Sequence, residues 1–244
     1  DVAALTLALS GMVFTAGTSS IAQAVLVSNG KSLDTYRFWQ VGSVAGREIG
    51  DIVPVLPLLA LGFGAVVVAS AFGWVETDWG MSSLQATLPA ELPVEVAFAI
   101  TLAVLPVNVL ISNIPAFGEE LGWRGFLTTA LAPLGFWRTA LISGVLWGVW
   151  HAPIILLGYN FFRPDALGVA LMCGFTLFVG VLLQISRVWC RNVWVAAVGH
   201  GAFNATVPLS LLVITDSADP AIGTVLGVPG WMLIAVVIGV LVAL

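Results

Sequence analysis

The sequence predicts an all-α fold: a polytopic transmembrane bundle of about seven to eight membrane helices, forming one integral-membrane domain over residues 1–244. Three observations predict it. The chain is 59% hydrophobic and only 9% charged, where a soluble domain carries about 25% charged residues. Its mean hydropathy of +1.06 leaves too little polar surface to cover it in water. Runs such as Ile52–Val75 and Trp231–Leu244 need lipid or a very large core. The alternation of polar and apolar residues that marks a membrane β-barrel is absent.

Taken in order, the apolar spans are roughly 2–29, 52–75, 94–114, 138–158, 166–186, 192–214 and 222–244, with a further apolar piece at 116–132. The stretch from Val94 to Ala132 is too long for one crossing. As continuous helix it would measure about 58 Å, against a hydrocarbon thickness of ~30 Å. A break is expected at Ser112–Pro115, because proline removes a backbone donor and clashes with the preceding turn. The charges between spans alternate. Lys31, Arg37, Arg47, Arg138, Arg187 and Arg191 fall on one set of ends, which places those ends in the cytoplasm if 116–132 does not cross in full. Gly144 with Gly148, and Gly223 with Gly227, are spaced to let helix backbones approach. Trp74, Trp79 and Trp194 lie near span ends and suit an interfacial belt.

Several function classes drop out. The net charge of −5 is spread thinly and there is no basic stripe, so no nucleic-acid partner is expected. Cys173 and Cys190 suggest neither a disulfide nor a thiolate metal site. The first apolar stretch lacks the basic start of a cleavable signal peptide. The partner implied throughout is the lipid bilayer.

Ionisable residues inside a span are expensive and mark functional sites by default. The spans hold Glu119, Glu120, Arg124, His151 and His200, including both histidines of the chain. Asn204 lies four residues after His200, so the two share a helix face. Arg124 stands four after Glu120 and can pair with it; His151 stands four after Trp147. Alone, Glu120 and Arg124 read as a structural ion pair, and His200 with Asn204 as interhelical glue. Jointly, three helices bring polar groups into an interior otherwise nearly free of them.

Such a set permits chemistry. A buried carboxylate can take a proton from water, with a histidine sharing the task. A second histidine and an amide can stabilise an oxyanion. That is a kit for hydrolysing an amide without a covalent intermediate. Equally, Glu119, His151 and His200 could ligate Zn²⁺, with water in the open position and Asn204 as a weaker ligand.

The motifs "EELGWR" (Glu119–Arg124), "WGVWH" (Trp147–His151) and "HGAFN" (His200–Asn204) resemble, in order and separation, those of the CAAX protease and bacteriocin-processing family. These intramembrane endopeptidases are related to type II CAAX prenyl proteases. The motif-bearing part runs from about residue 94 to 210. The resemblance implies that Glu119 is the general base assisted by His151, that His200 and Asn204 form the oxyanion hole, and that Glu120 and Arg124 orient the site. It leaves metal-free and metal-assisted hydrolysis both open. Trp147 stands where the family more usually has phenylalanine. The resemblance implies a peptide or protein substrate, lipidated or membrane-embedded. Short loops and the lack of a soluble domain fit a multi-pass protein of a prokaryotic plasma membrane. Two rivals use the same buried groups: a binding or scaffold protein, such as a bacteriocin-immunity factor that does not cut, and a transporter with a proton or cation relay. The single break and the lack of an internal repeat disfavour the transporter.

Overall fold

A computed structural model describes residues 56–89, 91–215 and 218–243. All lie in Ala45–Leu244, the second of two units into which the chain divides. The expected span 2–29 and the segment with Lys31, Arg37 and Arg47 lie outside the described residues. Those described are helical, and their one β feature is an isolated antiparallel bridge between Thr77 and Ile214. The main helices are α1 (Leu56–Ala71), α2 (Val94–Glu120), α3 (Phe136–Trp150), α4 (Ala166–Cys190), α5 (Val193–Leu211) and α6 (Val228–Ala243).

Ala166–Cys190 and Pro220–Ala243 are long and apolar enough to cross a membrane, and a third span counts if Val94–Leu105 and Val107–Ala130 form one bent crossing. Helix α3, with 15 residues, is about 22 Å long and falls short of ~30 Å of hydrocarbon. In α5, His200, Asn204, Thr206 and Ser210 dilute the apolar run. The expected total of about seven to eight helices extends to residues outside those described. Large side chains stay exposed along α2, among them Leu110 at 69% and Ile114 at 75%. Water would not sustain that surface, whereas lipid does.

The expected break at Ser112–Pro115 is corrected. Helix α2 runs through it to Glu120, and the 48° bend falls between Leu105 and Val107, at Pro106. Both prolines forfeit one helical hydrogen bond, so packing decides between them. Around Pro115, Ala116 is fully buried and the Phe117 ring stacks on Trp194 at 3.9 Å. A Cβ at Gly201 would lie only 2.9 Å from the Asn113 Cα, so α2 and α5 cross here with backbones nearly touching. The crossing holds the helix straight at Pro115, and the bend lies at Pro106.

Close approach also joins α3 to α4. A Cβ on Gly148 would sit 2.5 Å from the Cys173 Cα, and one on Gly144 2.9 Å from the Leu177 Cα. Thr176 Oγ1 donates to the Gly144 carbonyl across that seam at 2.9 Å. The second glycine pair differs from expectation. Gly223 faces the Val75 side chain and Gly227 the Ala221 carbonyl of its own turn, so these two shape the entry to α6 and make no helix crossing.

Caps fix the ends of the site-bearing helices. Asp165 accepts from the Gly168 amide at the start of α4. Asn192 accepts from the Trp194 amide at the start of α5, after Arg191 turns the chain with φ +50°. Outside the helices, Arg163 Nη2 donates to Asp219 Oδ2 at 2.6 Å, tying the loop before α4 to the turn before α6. Burial pushes the Asp219 carboxyl up, but the Ala221 amide and the Arg163 guanidinium outweigh it and hold it below the ordinary carboxylate value.

Candidate active site

Helix α2 ends at Glu120 and continues as a π-helical turn, Leu121–Leu127. There the Thr128 amide donates to the Trp123 carbonyl five residues back. Such wide turns are rare and concentrate at functional sites. This one carries Arg124 and stands directly after the two glutamates. Glycines at 122 and 125 ease the departure from regular helix.

The adjacent glutamates have separate surroundings. Glu120 has no exposed surface. Its Oε1 accepts from Arg124 Nη1 at 2.8 Å and faces His200 Nδ1 at 3.0 Å. Glu119 is half-buried, and its Oε2 accepts from the indole Nε1 of Trp147 at 2.9 Å. Consecutive helical residues point about 100° apart, so one carboxylate enters the bundle while its neighbour stays open to small molecules.

Trp147, 2% exposed, stands at the centre. The Arg124 guanidinium carbon lies 4.4 Å from its ring centroid. His200 meets the ring edge-on at 5.1 Å, and His151 lies at 5.9 Å. His151 follows the last residue of α3 and turns the chain towards the single helical turn Ala152–Ile155. Its Nδ1 meets the Trp147 carbonyl at 2.8 Å, and Trp150 packs against its ring at 5.0 Å.

Acceptors fix the tautomers. A carbonyl and a carboxylate only accept, so Nδ1 carries the proton in both histidines. In a neutral ring each Nε2 then presents a lone pair. For His200 Nε2 to donate, the ring must carry both protons, with Glu120 as its counter-charge. Asn204 is exposed, one turn beyond His200, and its amide has no hydrogen-bond partner among the described residues. Pro208, inside α5, has no N–H to give the Asn204 carbonyl four residues back.

Several buried polar atoms lack a partner among the described residues: Glu120 Oε2, Arg124 Nε and Nη2, Asn113 Oδ1 and Ser143 Oγ. Buried polar groups without protein partners are where ordered water sits. Of the residues singled out in the sequence, Glu119, Glu120, Arg124, His151 and His200 gather around Trp147; Asn204 stands at the edge of the group. Sequence reading took Trp147 as the aromatic of a motif and not as a hydrogen-bond donor. Its i, i+4 relation to His151 was the available signal. Among the described residues no group of three His, Cys, Asp or Glu side chains gathers as a metal site, while the Nδ1 contacts of both histidines leave Nε2, the nitrogen a metal would take, pointing away from the carbonyl and carboxylate.

Residues 96–206 match the Rce1-like family, type II CAAX prenyl endopeptidases. That range contains all three motifs. Residues 2–78 match the FecCD transport family, mostly outside the described residues. Neither a curated protein nor a solved structure matches the chain significantly.

Proposed function

We infer, for a chain that belongs to the CAAX protease family through residues 96–206, that Glu119 and His151 activate a water which hydrolyses a peptide bond inside the membrane. The family is one of proteases, and its apolar helices make the chain an integral membrane protein. The observation that carries the mechanism is the division between the two glutamates. Glu120 is consumed by Arg124 and His200. Glu119 Oε2 is held by Trp147, and among the described residues Oε1 has no hydrogen-bond partner.

Glu119 Oε1 takes a proton from water, aided by the lone pair of His151 Nε2. The hydroxide oxygen adds to the scissile carbonyl carbon, and the carbonyl electrons move onto oxygen. His200 Nε2, in the doubly protonated ring facing Glu120, and the Asn204 amide donate to that oxyanion. As the C–N bond breaks, the proton passes to the leaving nitrogen, giving a carboxylate and an amine. No step is routed through a metal. The substrate is a peptide or protein segment, lipidated or membrane-embedded, that reaches the site from the bilayer or its surface; the short loops support a prokaryotic plasma membrane as its location.

The test is cleavage of a quenched-fluorescent peptide, prenylated and unprenylated, by purified protein with and without a chelator. Glu119→Gln is expected to lose at least about 100-fold in rate, the scale of general-base catalysis, with wild type insensitive to the chelator. A variant that cuts at the wild-type rate refutes the assignment. Loss in chelator restored by Zn²⁺ refutes the metal-free route. A transport reading has one observation in its favour, the FecCD match over residues 2–78, which contains none of Glu119, His151, His200 or Asn204. It predicts solute flux into proteoliposomes that Glu119→Gln leaves intact.

A further inference from the structure

We propose that Trp147 is a positioning residue for Glu119: its indole holds the carboxylate at the ring edge and the Arg124 guanidinium on the ring face, so that Glu119 stays an unpaired base. The inference rests on Glu119 being the base.

The geometry carries it. A guanidinium four positions beyond one glutamate and five beyond its neighbour could pair with either. In the site Arg124 gives Nη1 to Glu120 and stacks on Trp147 at 4.4 Å, while Glu119 Oε2 takes the indole Nε1–H at 2.9 Å. A cation on the π face draws electron density from the ring and makes the N–H a better donor to an anion. The indole is nearly sealed, at 2% exposure, so water cannot replace it in that contact. Trp147 also fixes which carboxylate oxygen works. With Oε2 engaged in the ring plane, Oε1 is the one left to accept a proton from water. The His200 ring packs on the same indole at 5.1 Å, and the Trp147 carbonyl takes His151 Nδ1. One residue thereby sets the bearings of the base, its helper and the oxyanion histidine.

A ring without the N–H separates positioning from packing. Trp147→3-benzothienylalanine keeps the bicyclic shape, the Arg124 stack and the His200 contact, and replaces only the donor by sulfur. It is expected to lower kcat about tenfold, the scale of a lost charged hydrogen bond and a misplaced base, with KM unchanged and thermal unfolding in detergent as in wild type. Trp147→Phe, which loses donor and ring area together, is expected to lose the same or more in kcat. If the benzothienyl variant retains wild-type kcat while Glu119→Gln is inactive, the base assignment stands and the positioning role falls. If Glu119→Gln itself stays active, the underlying reading falls first. A change confined to KM or to unfolding also overturns the proposal, because it assigns Trp147 to binding or packing.

Discussion

Removing the Glu120 carboxylate tests whether the buried charges form one balanced cluster. In Glu120→Leu, Oε1 disappears together with its contacts to Arg124 Nη1 at 2.8 Å and His200 Nδ1 at 3.0 Å. Arg124 is 1% exposed, and its Nε and Nη2 already lack partners. The variant therefore leaves a buried guanidinium with the Trp147 face as its main support. Breaking a buried pair from one side costs about 3–5 kcal/mol, because the stranded charge stays desolvated. Removing both partners costs far less. Glu120→Leu with Arg124→Met is accordingly expected to recover at least about 2 kcal/mol of the loss, a strongly non-additive cycle. Equilibrium unfolding of wild type, both single variants and the double variant in mixed micelles reads this directly. Single losses below about 1 kcal/mol that simply add would refute the reasoning, since that is the behaviour of a solvated surface pair.

Two further outcomes follow from contacts already described. Gly201→Ala places a Cβ 2.9 Å from the Asn113 Cα, so α5 must move off α2; it is expected to cost about 1–3 kcal/mol and to lower kcat by displacing His200 from Glu120, measured by unfolding and peptide cleavage together. Asp219, held below its ordinary value in balance by Ala221 and Arg163, adds stability that is present above the unfolded carboxylate pKa and lost as pH falls through the lower folded value. Asp219→Asn is expected to remove that acid-side slope in a stability–pH titration, and an unchanged slope would show that the tie to Arg163 contributes nothing.

Much of the site was legible because an apolar chain makes its polar residues conspicuous. His151 and His200 stood out as the only histidines, and the pairing of Glu120 with Arg124 followed from helical spacing. Other parts were hidden for identifiable reasons. Pro106 and Pro115 look alike in sequence; only the crossing at Gly201 and the Phe117–Trp194 stack decide which one bends. The π turn at Leu121–Leu127 has no periodic signature over so short a run. Trp147 reads as packing because nothing along the chain says that Glu119, 28 residues earlier, supplies its acceptor. Thr176 and Gln184 likewise look like incidental polar residues of a span until their partners, the Gly144 and Phe136 carbonyls, come from another helix.

Under the proposed mechanism, charge balance gives the two adjacent glutamates different roles. An uncompensated charge in the bilayer interior is neutralised or expelled. In the proposed mechanism Arg124 is cationic and His200 carries both protons to donate to the oxyanion, so two carboxylates bring the cluster to neutrality. Glu120, fully buried and sharing one oxygen between both cations, supplies charge without freedom to react. Glu119 supplies the second charge from a half-open position, where, among the described residues, its hydrogen-bond donor is the neutral indole of Trp147. Glu120 Oε1 is shared between Arg124 and His200, whereas Glu119 rests one oxygen on Trp147 and leaves the other to meet water. The rotation of about 100° between consecutive helical residues is enough to separate the proposed counter-ion from the proposed base.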